Sequence, residues 1–215
     1  MFNTIKNALK TPEIRKKILF TLLLLVIFRL GCYITIPGVD IVTLESTMSA
    51  SSNSVTGMIN MISGGAFSRL SIFAMSITPY ITASIVIQLL GMIIPSLERL
   101  TKEGGEEGRK KIDRYTKIIT VVLALVEGLG IYLSYRSSGI FVDSGALTGA
   151  VVVISLMAGT SLLMWLGDKI TSVGIGNGIS MLIFAGIVSS LPSAVLGIGS
   201  LIFVDGAFST IGLLK

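Results

Sequence analysis

The chain has 215 residues, of which 52% are hydrophobic and only 13% charged, and its mean hydropathy is +0.87. Soluble domains carry about 25% charged residues, so this composition excludes an ordinary soluble domain and places the chain among membrane proteins. The chain has no histidine and a single cysteine, Cys32, which excludes an internal disulfide and a His/Cys metal cluster. The net charge is +5, but the basic residues flank apolar segments, which argues against a nucleic-acid surface.

The chain begins with a basic segment, residues 1–17, followed by the first predicted transmembrane helix, residues 18–36. This arrangement resembles a signal peptide, but the apolar run is long, is followed by Pro37 and Gly38, and has no small-residue cleavage pattern. We therefore interpret it as a span. Arg29 lies about eleven residues into it, roughly 17 Å from its start.

A short apolar stretch, residues 57–70, precedes the second predicted span, residues 73–95. It is too short and too rich in glycine to cross a membrane. We predict a small re-entrant helix, which survives at membrane depth only where protein or water covers it; an amphipathic surface loop is the alternative. The candidate residues of this stretch are Ile59, Ile62, Gly64, Gly65 and Phe67.

Residues 96–114 form a predicted cytoplasmic loop rich in lysine and arginine. Its glycines predict flexibility, and its mixed charges predict exposure to solvent. The basic run of Arg109, Lys110 and Lys111 is either a docking element for a cytoplasmic partner or only a signal that sets membrane topology.

Three further spans complete the predicted set of five. These spans are residues 115–135, 147–167 and 178–196, and the tail after them is residues 197–215. Thirteen lysines and arginines lie on the side of the N-terminus and three on the other. Because positive loops stay in the cytoplasm, we expect a multi-pass protein of the cell membrane with a cytoplasmic N-terminus and an extracytoplasmic C-terminal tail.

Several glycines have structural interpretations. The glycine-rich stretch 167–180 lacks the GK[ST] ending of a phosphate loop, so we predict a tight cytoplasmic turn with Asn177 as the N-cap of the fifth helix. Gly149 and Gly159 in the fourth helix are predicted to be points of close helix packing.

Two charged residues lie inside predicted spans. Arg29 and Glu127 are at similar depths, roughly 17 Å and 15 Å from the cytoplasmic side, and charges at mid-membrane cost at least ~2.5 kcal/mol on insertion scales. We predict that the two form an intramembrane pair. Alternatively, Arg29 extends outward or binds backbone carbonyls, and Glu127 faces water.

Branched apolar residues recur four apart in two spans. Ile77 and Ile81 share one face of the second helix, and Ile183 and Ile187 share one face of the fifth. Such pairs are usually packing or lipid contacts, and a pore lining is the alternative. The stripe of the second helix continues with Ser84 and Gln88, whose polar groups need a partner helix or a water-filled cavity.

Enzymatic activity is not expected. An intramembrane serine protease uses a histidine base, which this chain lacks, and Asp143, Asp168 and Asp205 all flank predicted spans instead of forming a pair inside one. We expect no cofactor and no metal.

Several blocks of the sequence resemble the SecY family, the channel subunits of the protein-translocation machinery of bacteria. The blocks occur in the order of that family and cover nearly the whole chain. They are "FRLGCYITIPGVD" (28–40), "SGGAFSRLSIFAMSITPYITASIVIQLLG" (63–91), "EEGRKKIDRYTK" (106–117) and "GTSLLMWLGDKITSVGIGNGISMLIFAGIV" (159–188).

The resemblance implies a fold and a mechanism. Residues 57–70 would be a plug on the outer side of an hourglass pore, with Gly64 and Gly65 in its hinge. The four isoleucines would belong to the central apolar constriction, which resists ion leakage by dewetting. Ser84 and Gln88 would face a lateral gate through which membrane segments leave for the lipid bilayer.

The resemblance also implies partners. These are small subunits of the SecE and SecG type, the SecA motor ATPase or the ribosome, and the signal sequences of preproteins. SecY has ten spans in two inverted halves, and five spans correspond to the N-terminal half. We expect a truncated or split half that pairs with the second half or with another copy of itself.

Two other classes remain open from the sequence. One is a small inverted-repeat ion channel or transporter that uses Arg29 and Glu127 as coupling charges. The other is a structural membrane scaffold, for which the polar stripe at Ser84 and Gln88 has no use.

Overall fold

A computed structural model describes residues 11–50, 60, 63–102, 104–143 and 145–203 of the chain. This part of the chain is mostly helical, and its β-type pairing is limited to two isolated bridges. The predicted all-α class is therefore confirmed. The helices with described bounds are α1 (Pro12–Gly31), α2 (Ile41–Ala50), α3 (Thr78–Ile93), α4 (Pro95–Lys102), α5 (Gly105–Tyr135), α6 (Ala146–Val173) and α7 (Gly178–Phe203).

Among the described residues, two helices are long and apolar enough to cross a membrane. One is α5 with the 3₁₀ turn that follows it, and the other is α6. Helices α3 and α4 would supply a third span if they are counted as one bent element. The third and fourth predicted spans therefore correspond to such helices, whereas the count of five spans stays a prediction.

The second predicted span begins later than the sequence indicates. We expected a helix over residues 73–95, but the helix starts at Thr78 and residues 72–77 form consecutive turns. Ser76 has a φ of 52°, a left-handed conformation that cannot continue an α-helix. Pro79 then lies in the first helical turn, where its missing N–H costs nothing.

The predicted loop 96–114 is largely helical, and the expectation of a flexible segment is wrong for its described residues. Helix α4 begins at Pro95 and is turned by 105° from α3. Helix α5 starts at Gly105 and contains the basic run. Lys, Arg and Glu are good helix formers, and the Lys102–Glu98 ion pair at 2.7 Å follows the i,i+4 spacing.

The short helix α2 has no counterpart in our prediction. Asp40 precedes it and acts as its N-cap: its carboxylate accepts hydrogen bonds from the Thr43 hydroxyl at 2.6 Å and from the Val42 N–H at 3.1 Å. The segment is only ten residues long and has no strong apolar period, so its helical state depends on this cap and on the burial of Leu44.

Helix α6 is the central packing element of the described bundle. Helices α1, α3, α5 and α7 all contact it. A Cβ at Gly149 would touch the ring of Tyr132 on α5, and a Cβ at Gly159 would overlap the carbonyl oxygen of Ile72. The predicted role of Gly149 and Gly159 in close packing is confirmed.

Candidate functional site

The segment from Ser63 to Ile77 is fastened to the chain that follows α1. The backbone N–H of Ile36 donates to the carbonyl of Leu70 at 3.1 Å, and the N–H of Ile72 donates to that of Ile34 at 3.0 Å. These antiparallel contacts satisfy backbone N–H and C=O groups in a segment that forms turns instead of a helix. The segment therefore has a fixed position at the C-terminal end of α1.

An apolar cluster joins this segment to α1, α6 and α7. Ile77 is only 2% exposed and lies in a buried cluster that includes Phe28, Ala66 and Leu182. Ile183 packs against the same cluster. The structure thus brings together one isoleucine from each of the two predicted stripes.

The other two isoleucines lie at the surface of the described bundle. Ile81 is 37% exposed and Ile187 is 38% exposed. Each lies one helical turn beyond its buried or half-buried counterpart. Both stripes therefore run from the apolar cluster toward the surface of the described bundle.

The polar continuation of the α3 stripe is also present. The amide of Gln88 donates to the Ser84 hydroxyl at 3.3 Å. Gln88 is exposed and lines a cavity of about 540 Å³ that also includes Glu98, Thr101 and Lys102 from α4. These two residues offer hydrogen bonds within residues 84–93 of α3, which are otherwise apolar.

Only part of the predicted plug lies among the described residues. Ile59 and Ile62 are outside them. Residues 63–70 form turns, and Gly64 and Gly65 both have positive φ values, of 65° and 84°. A Cβ at Gly64 would lie 2.7 Å from the Ser189 hydroxyl, so this position is closed to any larger residue. Whether residues 57–70 contain a plug helix stays a prediction.

The side chain of Arg29 connects three parts of the chain through hydrogen bonds. Its Nη1 donates to the carbonyl of Gly64 at 2.5 Å and to the Ser189 hydroxyl at 2.9 Å, and its Nη2 donates to the Tyr33 hydroxyl at 3.2 Å. The alternative in which Arg29 binds a backbone carbonyl is therefore observed. Ser189 gave no signal in the sequence, because it lies 160 positions away from Arg29 and only the fold brings the two together.

Arg29 and Glu127 form no ion pair in the described part of the chain, and the predicted intramembrane pair is not formed. Their helices, α1 and α5, both pack against α6. Glu127 instead lines a separate cavity of about 380 Å³ together with Thr78, Ser134 and Tyr135. Matching depth along two helices does not imply that they are neighbours.

A charged cluster joins α5 to α6 near the start of the third predicted span. The ammonium of Lys117 lies 2.6 Å from a carboxylate oxygen of Asp113 and 2.6 Å from one of Asp168. The i,i+4 spacing of Lys117 and Asp113 was readable from the sequence, whereas the contact with Asp168 was not.

The basic run is exposed. Arg109, Lys110 and Lys111 all lie at the surface of the N-terminal part of α5. They therefore form part of a rigid helical surface. In the turn before α7, Asn177 accepts hydrogen bonds from the N–H groups of Ile179 and Ser180 at 3.0 and 3.3 Å, which confirms the predicted N-cap.

Comparisons with known proteins give a consistent result. The SecY family model matches residues 71–214. The protein translocase subunit SecY of Streptomyces coelicolor is 44% identical over 210 residues, which cover 92% of this chain and 48% of that protein. That of Bacillus subtilis is 45% identical over 199 residues, covering 91% and 45%. That of Staphylococcus carnosus is 42% identical over 219 residues, covering 100% and 50%.

Two solved structures share the fold. One is Sec61 in the canine ribosome–channel complex from the endoplasmic reticulum, and the other is described as a protein-conducting channel. Both align with a TM-score of 0.62 at 21% identity, covering 90% of this chain and 43% and 42% of the respective channel chains. The chain spans about half the length of the curated relatives it matches.

Proposed function

The chain belongs to the SecY family, and from this premise we propose that it supplies the N-terminal half of a protein-conducting channel in the cell membrane. The observation that carries the proposal is the match of the family model to two thirds of the chain, together with about 44% identity to curated translocase subunits. The channel passes unfolded preproteins and acts without catalytic residues of its own.

The proposed constriction consists of Ile77, Ile81, Ile183 and Ile187. Support comes from the shared cluster of Ile77 and Ile183 and from the surface position of the other two. A ring of branched apolar side chains holds an extended polypeptide closely but gives ions no replacement for their hydration shells. Such a ring admits a chain and excludes ions.

The proposed plug is the segment 57–70, and the proposed lateral gate includes Ser84 and Gln88. The contact of Gly64 with Arg29 and Ser189 supports a plug that packs against α1 and α7. The exposed amide of Gln88 supports a gate, because a polar group on a membrane helix seeks a partner helix or a water-filled cavity.

The partners we propose follow from the family. They are SecE-type and SecG-type small subunits, a SecA motor or a ribosome, preprotein signal sequences, and the second half of SecY or another copy. The exposed Arg109, Lys110 and Lys111 are a proposed contact for the cytoplasmic motor or ribosome. The charge bias of thirteen to three supports a cytoplasmic N-terminus and an extracytoplasmic C-terminal tail.

Co-purification tests the partners. We expect the tagged chain, extracted in mild detergent, to retain the C-terminal half of Bacillus subtilis SecY when the two are co-expressed, together with SecE. Recovery of the chain without either partner would contradict the proposed assembly.

Ion leakage tests the constriction. In vesicles that contain the chain and that C-terminal half, Ile81→Asn and Ile187→Asn are expected to raise ion leakage several-fold because a polar ring stays hydrated. Ile154→Asn on the exposed surface of α6 is the matched control. Equal leakage in all three variants would exclude the four isoleucines as the constriction.

The ion-transporter alternative has less support. Its coupling charges would be Arg29 and Glu127, but Arg29 is occupied by Gly64, Ser189 and Tyr33. The double variant Arg29→Gln with Glu127→Gln distinguishes the two functions, since loss of ion flux with preprotein translocation unchanged would favour the transporter.

A further inference from the structure

A small polar cavity lies beside the C-terminal end of α1. It measures about 130 Å³ and is lined by Arg29, Cys32, Tyr33, Gly64, Gly65, Ser68 and Arg69. This volume is several times the roughly 30 Å³ that a water molecule occupies in the liquid. The cavity therefore has room for a polyatomic ligand.

The charges that line this cavity are both positive. The guanidinium carbon of Arg29 lies 5.0 Å from the centre of the Tyr33 ring, and that of Arg69 lies 4.6 Å from it. Two cations thus share one aromatic ring. Neither arginine forms an ion pair with a carboxylate in the described part of the chain, and no acidic residue lines the cavity.

The donors that remain at the cavity are suited to an oxyanion. Arg29 uses Nη1 and Nη2 in its contacts with Gly64, Ser189 and Tyr33, which leaves further N–H groups on the same plane. The Tyr33 hydroxyl accepts from Arg29, so its own proton is available to another acceptor. Arg69 is exposed and adds a second guanidinium fork.

We propose that this cavity, referred to here as the Arg29–Arg69 cavity, binds a phosphate group. A bound phosphate would neutralise two guanidinium groups that form no ion pair among the described residues, and it would accept hydrogen bonds from groups on α1 and on the segment 63–70. It would therefore tie that segment to α1. Arg29 lies in the last turn of α1, at the end away from the basic N-terminus. At a helix end the phosphate can come from either of two sources, free inorganic phosphate or the headgroup of an anionic phospholipid.

Two titrations of the full chain distinguish the sources. The chain is placed in nanodiscs of phosphatidylcholine, and its thermal unfolding is followed at constant ionic strength. In one arm inorganic phosphate is added against chloride. In the other arm phosphatidylglycerol replaces part of the neutral lipid without any phosphate in the buffer. We expect saturable stabilisation in at least one arm, and that arm identifies the source.

Variants separate a specific site from general attraction of anions. Arg69→Gln is expected to weaken the apparent affinity about tenfold, which corresponds to the loss of one charge-assisted contact of about 1.4 kcal/mol. Arg69→Lys, which keeps the charge but lacks the fork, should give an intermediate loss. Arg136→Gln, an exposed arginine outside the cavity, is the matched control.

Three results would overturn the proposal. They are the absence of saturable stabilisation in both arms, an equal loss for Arg69→Gln and Arg136→Gln, and an unchanged affinity in Arg69→Gln. Arg69 is exposed, so its variants should fold, and the unfolding transition itself reports whether they do. The readout is a binding curve, so its outcome is independent of the translocation and leakage experiments.

Discussion

Glycines on the helices of this bundle have opposite roles at different positions. Gly159 on α6 has no room for a Cβ because the carbonyl oxygen of Ile72 occupies that space. Gly130 on α5 has no heavy atom within 4 Å of the same position. The two residues are chemically identical, and only the surrounding packing distinguishes them.

We predict that alanine substitutions at these two glycines change stability in opposite directions. Gly130→Ala should raise the free energy of unfolding by up to about 1 kcal/mol, because alanine is the better helix former. Gly159→Ala should lower it by about 1–3 kcal/mol, since a backbone carbonyl must move to admit the methyl group. Unfolding of the purified chain in mixed micelles measures both values. A destabilising Gly130→Ala or a neutral Gly159→Ala would refute the packing described here.

The cap of α2 makes a pH-dependent contribution to stability. Hydrogen bonds from the Thr43 hydroxyl and the Val42 N–H lower the pKa of Asp40 below its ordinary value. The ionised form is therefore favoured by folding, and its contribution is fully present above the ordinary pKa. It is lost as the pH falls through the lower pKa of the folded state.

We predict that Asp40→Asn flattens the acid side of the stability profile. Between pH 6 and pH 2.5 the unfolding temperature of the unmodified chain should fall more steeply than that of the variant. Asp143→Asn, at another exposed aspartate, serves as control. Parallel profiles for Asp40→Asn and the unmodified chain would show that the cap has no effect on stability.

Residue roles that depend on neighbouring sequence were predictable, and those that depend on the fold were not. The capping role of Asn177 follows from its position before an apolar helix, and the structure confirms it. The individual partners of Arg29 could not be inferred, because a guanidinium donates to any carbonyl or hydroxyl oxygen that packing brings near. Depth in the membrane suggested Glu127, but the helices that carry the two residues meet α6 instead.

At the scale of elements, the basic run belongs to a helix of 31 residues. We predict that Lys110→Pro lowers the free energy of unfolding by about 3 kcal/mol, because proline removes a helical hydrogen bond and clashes with the preceding turn. Lys110→Ala, which removes the same charge, should change it by less than about 0.5 kcal/mol. If the two variants are equally stable, residues 105–114 are a loop in solution.

Element boundaries were less predictable than element types. Hydrophobicity located the second span but extended it across residues 73–77, since those residues are as apolar as the helix itself. Their turns are closed by local hydrogen bonds, such as the one that the Ser76 N–H donates to the Phe73 carbonyl, and the preceding residues Leu70 and Ile72 are held by long-range bonds to Ile36 and Ile34. The helical state of residues 105–114 was missed because three glycines suggested flexibility. Gly108 in fact allows a close approach to the carbonyl of Leu100 on α4.

At the scale of the whole molecule, α5 is long enough to place its two ends on opposite sides of a membrane. Its 31 residues extend roughly 46 Å, more than the roughly 30 Å of the hydrocarbon core. We predict that thiols introduced by Glu107→Cys and Ser137→Cys, in a Cys32→Ala background, react with an impermeant maleimide from opposite sides. Glu107→Cys should react only in inverted vesicles. Reaction of both from one side would refute the predicted topology.

The family and the all-α class could be predicted from sequence blocks, whereas the arrangement of the site could not. The isoleucine spacing predicted two stripes, but it did not show that Ile77 would be buried and Ile81 exposed. That difference arises because Ile77 packs into the cluster with Phe28 and Leu182, whereas Ile81 lies one turn farther along α3, at the surface. A periodic pattern defines a helix face and does not specify what covers each turn of it.

The 105° turn between α3 and α4 has a consequence for how the molecule sits in a bilayer. If α3 stands upright, α4 lies nearly flat, with Glu98, Arg99 and Lys102 at the level of the lipid headgroups. A charged helix parallel to the membrane surface, joined to an apolar helix that crosses the membrane, fixes the depth of the bundle in the bilayer. Sinking deeper would drag ionic groups into hydrocarbon, and rising would lift Met92 and Ile93 into water.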